Sequence, residues 1–340
     1  MSRSITPIHL VGSVPLDGSR DVFRTVGQIL GQRIDRIPDG ETGVRSGWIR
    51  WQRPLFANHP SFEPTTEAEH AYHNIAPFRL RADTDASRLS FGSLGYSAAA
   101  RDSYAIFQAE KQAGNVHPDC RFQISLPTPL APVAAFVRLE DQLHVEQRYG
   151  DRLLSELDEI VAVAPASQLA IQWDVAREFM YVEGVMAPPF DDVFGEIARR
   201  LQSLSSRIPD DVELGLHLCY GDSGHKHFVE PSDATNLVKV ANLLSQVIER
   251  PIAWIHMPVP VARDDAAYFE PLSDLRLHPE TTLFLGLVHL SDGIEGGRRR
   301  IRAAHAFYDE FGIATECGFG RRPPETIPDL LRLHLTLASD

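Results

Sequence analysis

Short apolar or alternating runs recur along the chain, and most are followed by a polar turn and a longer stretch with helical periodicity. Period-two alternation or a short continuous apolar run predicts a strand, whereas apolar positions three and four residues apart predict an amphipathic helix. The predicted strands cover residues 7–14, 33–37, 121–126, 169–173, 212–218, 251–257, 281–288 and 312–315. The clearest predicted helices cover residues 19–30, 138–163, 191–205, 233–248, 293–311 and 324–337.

Eight strands that alternate with helical sequence predict an α/β protein, specifically a (β/α)8 TIM barrel. The alternative fold is an open doubly wound sheet, but no G-x-G-x-x-G follows the first predicted strand. The length of 340 residues fits one barrel domain, 1–340. Residues 45–120, after the second strand, are aromatic and irregular in pattern. They predict an insertion of helices and loops, with room for a hairpin, packed on the barrel or against a partner subunit.

The charge and composition of the chain limit the classes of partner that we expect. The 46 acidic and 33 basic residues give a formal charge of −13, which repels phosphate backbones, so nucleic acid is not expected as a partner. No apolar run approaches the length of a membrane span, and residues 1–13 lack the length and cleavage site of a signal peptide. The three cysteines are an odd number, which favours reduced thiols over a disulfide framework. We expect a cytoplasmic protein with no membrane partner, and a homo-oligomer is compatible with the sequence.

The most informative local pattern is His217-Leu218-Cys219 at the end of the fifth predicted strand. An imidazole and a thiol two residues apart on a strand lie on the same side of the chain. Together with Cys317 they offer three ligands of the kind that Zn²⁺ prefers. The alternative is a hydrogen-bonded core histidine with two small buried cysteines. Closure of a barrel favours the metal, because it brings the ends of the fifth and eighth strands to one rim.

Other polar side chains follow the predicted strands at the same rim, where TIM barrels carry their chemistry. They are Ser13, Asp39, Glu41, Thr128, Asp174, His256 and His289. Asp39 is predicted to cap the turn that holds Glu41. Arg321 and Arg322 follow Cys317 closely and are candidates to meet an anionic substrate.

The motifs VGSVP, PDGE, IQWD, HLCYG, LGLVHLSDGIEG and ECGFGRR, in this order and at these strands, resemble the cobalamin-independent methionine synthase family, specifically its C-terminal catalytic barrel. HLCYG and ECGFGRR are the most specific of them. The resemblance covers most of the chain except the aromatic insertion, and is to the short, core-only members. It implies a zinc-dependent methyl (alkyl) transferase that activates a thiol such as homocysteine as a zinc-bound thiolate.

Carried over by motif, the resemblance implies that His217, Cys219 and Cys317 are zinc ligands. It implies that Val11, Ser13, Glu41 and Asp174 hold the amino and carboxylate ends of an amino-acid thiol, and Thr128 is added to the substrate-binding residues from its place after a strand. The family's fourth ligand is a glutamate after the sixth strand, where this chain has His256, either a substitute ligand or a packed histidine. The family's DxHS is HLSD here, which leaves His289 near the position of the histidine that assists the leaving group.

Three functions fit these residues. The first is the Zn²⁺-dependent transferase, with a small-molecule thiol and a folate, corrinoid or small metabolite as methyl donor. The second is a zinc-dependent lyase or hydrolase that uses a zinc-bound water, with Glu41 or Asp174 as general base and His289 as acid. The third is a non-catalytic barrel that binds a small thiol or a metal.

Overall fold

A curled sheet of seven parallel strands forms the centre of the protein in the computed structural model, which describes residues 6–66, 76–224 and 226–339. The strands in chain order are β1 (Arg36–Pro38), β2 (Phe62–Pro64), β3 (Phe78–Leu80), β4 (Arg121–Pro127), β5 (Leu169–Val175), β6 (Glu213–Leu218), β7 (Trp254–Pro258), β8 (Thr282–Gly286) and β9 (Phe311–Ile313). The central sheet has the order β1-β4-β5-β6-β7-β8-β9, and β2 pairs with β3 in an antiparallel hairpin. The predicted α/β class is confirmed, and the seven parallel strands correspond to the second to eighth predicted strands.

Helices follow the strands and pack on the outside of the sheet. They are α1 (Ser19–Leu30), α2 (Arg53–Ala57), α3 (Tyr96–Gln112), α4 (Leu130–Phe136), α5 (Gln142–Val161), α6 (Arg177–Val182), α7 (Val193–Ser205), α8 (Thr235–Val247), α9 (Ala266–Phe269), α10 (Gly293–His305) and α11 (Ile327–Leu337). The apolar stripe of α1, which includes Val22, Phe23 and Val26, is fully buried, as its periodicity predicts. None of the helices in the described part of the chain is long and apolar enough to cross a bilayer.

Residues 7–14, predicted as the first strand, form no continuous ladder. Ile8 makes parallel bridges with both Ile34 and Ile313, and Ser13 bridges Gly40, so this segment lies between the two edges of the sheet. Where the ladder is interrupted, side chains of other strands donate to its carbonyl groups. The Gln172 amide donates to the Val11 carbonyl at 2.7 Å, and the Gln123 amide donates to the carbonyls of Leu10 and Val11.

The predicted insertion contains α2, the β2–β3 hairpin and α3, and its residues 67–75 lie outside the described residues. The hairpin agrees with the prediction. The long helix α3 packs against α1 and α5 in the outer helical layer. Aromatic rings of the segment, among them Phe56, Phe62 and Phe91, pack edge to face with one another and against Tyr149 of α5. The boundaries of one domain 1–340 with an insertion 45–120 remain a prediction.

Strand register sets a row of three polar side chains across the sheet. Asp174 of β5 is paired with His217 of β6, which is paired with His256 of β7. Neighbouring residues in register point to the same face, so these three side chains lie side by side. Gly215 lies two residues before His217, where the indole of Trp254 fills the space that a Cβ atom would occupy. The row is therefore supported from below by a close-packed layer.

Candidate functional site

Three side chains of the types that bind metal ions meet at the carboxyl end of the sheet. His217 and Cys219, from the end of β6, lie with Cys317, just after β9, so that one ligand atom from each is within 4.8 Å of the others. The two sulfur atoms are 3.8 Å apart, and the Cys317 sulfur is 3.8 Å from His217 Nε2. Both cysteines are free thiols, because a disulfide needs about 2 Å between the sulfurs. The cluster brings together three of the four residues that the sequence analysis assigned to a metal.

His256 is hydrogen-bonded to His217 and determines which ring nitrogen of His217 carries the proton. His256 Nε2 is 2.9 Å from the carbonyl oxygen of Thr315, which can only accept, so Nε2 carries the proton. His256 Nδ1 is therefore an acceptor, and it receives the Nδ1 proton of His217 at 2.7 Å. This tautomer, assigned from the hydrogen-bond partners, leaves the lone pair of His217 Nε2 facing the cysteines. Burial lowers the pKa of His256 to about 4 and holds the pKa of His217 well below its usual value, so both rings are neutral.

The cluster forms one wall of a cavity with about 510 Å³ of empty space, counting its mouth. Its lining comes from several strand ends and loops: Val11, Gly12, Ser13, Glu41, Ser46, Trp48, Asp174, Ala176, His217, Cys219, Gly221, Asp222, Cys317, Gly318 and Arg321. The structure therefore brings Val11, Ser13, Glu41 and Asp174, all predicted substrate-binding residues, to the same space as the three predicted metal ligands.

The VGS and ECGFG motifs are packed directly against each other. The Phe319 amide donates to the Ser13 carbonyl at 2.6 Å, and the Gly320 amide donates to the Ser13 hydroxyl at 3.2 Å. A Cβ atom at Gly318 or Gly320 would lie within 2.7 Å of the Ser13 hydroxyl oxygen. Glycine is therefore required at these two positions for the loop after β9 to carry Cys317 close to Ser13.

Glu41 and Asp174 form a pair of buried carboxyl groups in this cavity. Burial, with the charge of Asp174 as the next cause, raises the pKa of Glu41 to about 8. Burial likewise raises the pKa of Asp174 to about 7, although hydrogen bonds from Gln172 and Trp48 oppose the shift. A cationic group placed between the two carboxyl groups would stabilise their charged forms, so the pair is suited to bind an ammonium group.

Strained backbone occurs at two residues of this cavity. Glu41 has a φ angle of 50° and Trp48 a φ angle of 56°, and they are the non-glycine residues with positive φ in the part of the chain that the structure describes. Such conformations cost free energy, and they persist where the surroundings impose them. Asp39 imposes that of Glu41 by accepting its backbone N–H at 2.9 Å, as the sequence predicted. The Trp48 indole N–H donates to Asp174 at 3.1 Å.

Three predicted site residues do not line the cavity. His256 is separated from it by His217, and its two ring nitrogens are engaged as described above. Thr128 is fully buried and donates its hydroxyl to Glu178 at 2.6 Å. His289 is buried, with Nε2 against the Val259 carbonyl at 2.9 Å. The direct ligand, substrate and acid roles assigned to these residues stay predictions, and their positions do not support them.

Sequence reasoning missed Ser46, Trp48 and Asp222 of the lining. Asp222 follows HLCYG within a polar glycine-containing loop, a signal that was available. Trp48 gave no usable signal, since it is one of many aromatic residues in the insertion and its positive φ cannot be read from residue type. Arg321, noted as a candidate for anion binding, lines the cavity and donates to Asp222 at 3.1 Å.

The fold and this site can be set beside known proteins. No family model matches the sequence, and no curated protein matches it. A candidate vitamin-B12-independent methionine synthase from Listeria monocytogenes superposes with a TM-score of 0.60 at 14% identity, covering 99% of each chain. A B12-independent methionine synthase from Shewanella sp., solved with selenomethionine, superposes with a TM-score of 0.60 at 16% identity, covering 99% of this chain and 97% of that one. At such identities the likeness is one of fold, and in the fold it confirms the resemblance stated from the motifs.

Proposed function

We propose that this protein is a zinc-dependent methyl (alkyl) transferase of the methionine synthase type, with an amino-acid thiol such as homocysteine as the acceptor. The observation that carries the proposal is the convergence of His217 Nε2 and the Cys219 and Cys317 sulfurs on one cavity wall. We further propose that residues 7–14 act as the strand that closes the barrel between β1 and β9, since Ile8 bridges both edges of the sheet.

The donor set fits zinc. One neutral imidazole nitrogen and two thiol sulfurs are ligands of structural and catalytic zinc sites, and three protein ligands leave one position for a substrate. A zinc ion in this set would act as a Lewis acid that lowers the pKa of a coordinated thiol, making it nucleophilic at neutral pH. The hydrogen bond with Cys219, and after it burial, raise the pKa of the Cys317 thiol well above its usual value, so binding of the metal must release protons from the site.

The remaining lining of the cavity suits the amino-acid part of such a thiol. Glu41 and Asp174 would hold the α-ammonium group, and Arg321 and the loop of Ser13 are placed to meet the carboxylate. The Shewanella protein was solved with selenomethionine, which is the kind of amino acid that methyl transfer to a selenol or thiol amino acid yields. That complex supports an amino-acid site in this fold.

The acceptor site is tested by the pH dependence of binding, measured by calorimetry on the zinc-loaded protein. Glu41 and Asp174 are neutral below pKa values of about 8 and 7, and acquire charge as the pH rises through them. We expect the affinity for homocysteine, divided by that for 4-mercaptobutanoate, to rise from pH 6 to pH 8 by up to about tenfold per pH unit for each proton released. The ratio isolates the α-ammonium group, because both ligands carry the same thiol and carboxylate.

The control for this measurement is Glu41→Gln, which removes one titrating carboxyl group and should flatten the rise. A ratio that stays constant from pH 6 to pH 8, or that falls, would contradict the role given to the carboxyl pair. Failure of both thiols to bind at any pH would contradict the proposed acceptor site itself.

A further inference from the structure

Two cavities meet at Trp48. The first contains the two carboxyl groups and the two cysteines, and the second lies beside it, with about 800 Å³ of empty space counting the part that opens to solvent. Their linings share Ser46, Trp48 and Arg321. A residue that lines both cavities lies between them, and Trp48 contributes the one flat ring of the three. The indole of Trp48 therefore separates the first cavity from the second.

Trp48 is held in this position through its ring and through its backbone. The indole N–H donates to Asp174 Oδ2 at 3.1 Å, which fixes the ring at its polar edge. The backbone has a φ angle of 56°, in a region that an aromatic residue adopts only at a cost in free energy. Strain of this kind persists at ligand sites, where the position of the side chain matters for binding. The strained backbone thus points to a role for the ring in the cavity that it borders.

The hydrogen bond to Asp174 locates the ring relative to the proposed acceptor. Asp174 and Glu41 are the carboxyl groups that would hold the α-ammonium group, and the indole edge contacts one of these carboxyl groups directly. The ring of Trp48 therefore lies just beyond the amino end of a bound amino-acid thiol. An unsubstituted ammonium group fits in front of the indole, whereas a bulky group on the amino nitrogen would need the space that the indole fills.

The space on the far side of the indole could accept such a group. Ile49, Ala135 and Phe136 contribute apolar surface to the second cavity, and Ile49 and Phe136 are buried residues of the core. An aromatic or aliphatic substituent that passed the position of Trp48 would leave water for this surface, which is favourable. The indole itself is therefore the feature that limits the length of the acceptor at this end.

We propose that Trp48 determines the specificity of the acceptor site by closing it at the amino end of the substrate. The site then takes free amino-acid thiols and excludes thiols that carry a bulky group on the amino nitrogen, including peptides extended at their amino terminus. This inference rests on the proposed function, because it takes Asp174 as a ligand of the α-ammonium group.

The test is calorimetric titration of the full-length, zinc-loaded protein with N-methylhomocysteine and with N-benzylhomocysteine. Both ligands are positively charged secondary amines near neutral pH and carry the same thiol and carboxylate, so the ratio of their affinities isolates the size of the substituent. The wild-type protein should bind the benzyl compound at least about tenfold more weakly than the methyl compound.

Replacing Trp48 by glycine joins the two cavities and should raise the affinity of the benzyl compound relative to the methyl compound by about tenfold or more. Glycine adopts a φ angle of 56° without strain, which offsets part of the packing lost with the ring and favours a folded variant. Trp48→Phe keeps an aromatic ring at this position, so its affinity ratio should stay closer to that of the wild type than to that of Trp48→Gly.

Trp51→Ala is the matched control. The ring of Trp51 packs edge-on against Tyr96, with 4.9 Å between the ring centroids, and it belongs to the lining of neither cavity. Its removal should leave the affinity ratio at the wild-type value. A rise of the same size in Trp51→Ala and Trp48→Gly would show a general loosening of the segment and would overturn the proposal.

Two further results would overturn it: a wild-type protein that binds both compounds equally well, and a ratio that Trp48→Gly leaves unchanged. Binding of homocysteine to the wild-type protein separates this inference from the proposed function. If homocysteine binds but the ratio does not respond to Trp48→Gly, only the role of Trp48 is removed. If the wild-type protein binds none of the three thiols, the proposed function is removed and the inference with it.

Discussion

Replacing either Cys219 or Cys317 by serine is expected to lower bound zinc from roughly one ion per chain to about a tenth or less. Each substitution removes one of three protein ligands and replaces a thiolate, which neutralises the charge of the ion, by a hydroxyl that stays protonated. The two sulfurs lie 3.8 Å apart in the wall of the cavity, and no other cysteine of the described chain belongs to the cluster and could take their place. Zinc per chain is measured by metal analysis after purification and dialysis.

Cys120 provides the matched control for these variants. It is also a buried free cysteine, but it lies at the other end of β4, and burial raises the pKa of its thiol to about 12. Cys120→Ser should lose some stability, because a hydroxyl is smaller than a thiol and costs more free energy to bury, and should keep its full zinc content. Equal zinc content in Cys120→Ser, Cys219→Ser and Cys317→Ser would rule out the metal centre.

Replacing His256 by alanine is expected to weaken zinc binding by about 10- to 100-fold while leaving its stoichiometry at saturation unchanged. His256 accepts the Nδ1 proton of His217 at 2.7 Å, which orients the ring and keeps Nε2 as the ligand atom. Without this acceptor, His217 is free to rotate and to change tautomer. Affinity is measured by competition with a chelator, and the ligands by the absorption spectrum of the cobalt-substituted protein.

The conservative variant His256→Asn separates orientation from direct ligation. An asparagine oxygen lies close to where Nδ1 lies in histidine, so it should restore most of the lost affinity, and the cobalt spectrum should be the same in all three proteins. A spectrum that shows one nitrogen ligand fewer on the cobalt ion in both variants would instead make His256 the fourth ligand, which is one of the alternatives that the sequence left open.

The sequence predicted the strand order well because parallel strands covered by helices must be continuously apolar. β5 is buried along its whole length, and its run LAIQW stands out against the polar segments around it. Residues 7–14 have the same appearance but do not form a continuous strand. The carbonyls of Leu10 and Val11 instead accept from Gln123 and Gln172 on other strands, and one segment's pattern cannot reveal such contacts.

The sequence predicted the long helices more accurately than the short ones. Long amphipathic helices such as α7 were found within two residues of their observed start, since their apolar stripe and the Asp192 cap are both local signals. α4 was missed: it has seven residues and contains Pro132, which in sequence favours a loop. Its apolar residues are buried against neighbouring helices, and this tertiary packing overcomes the weak local preference.

At the candidate site, residue type predicted which groups would meet but not which hydrogen bonds would orient them. His217, Cys219 and Cys317 meet because the sheet curls and brings the ends of β6 and β9 together, and Glu41 and Asp174 reach the same cavity. His256 is paired in register with His217, so the two side chains must lie next to each other. Its orientation depends on the Thr315 carbonyl, a backbone group that any residue would supply, and so the sequence contained no signal for it.

The central claim is that His217, Cys219 and Cys317 hold a zinc ion to which the substrate thiol adds as the remaining ligand. X-ray absorption at the zinc edge of the purified protein, before and after addition of homocysteine, tests it most directly. We predict two sulfur ligands before addition and three after it, with homoserine causing no increase. A sulfur count that stays at two with homocysteine would contradict thiol activation and favour zinc-bound water as the reacting group, and a protein that binds no zinc would contradict the claim altogether.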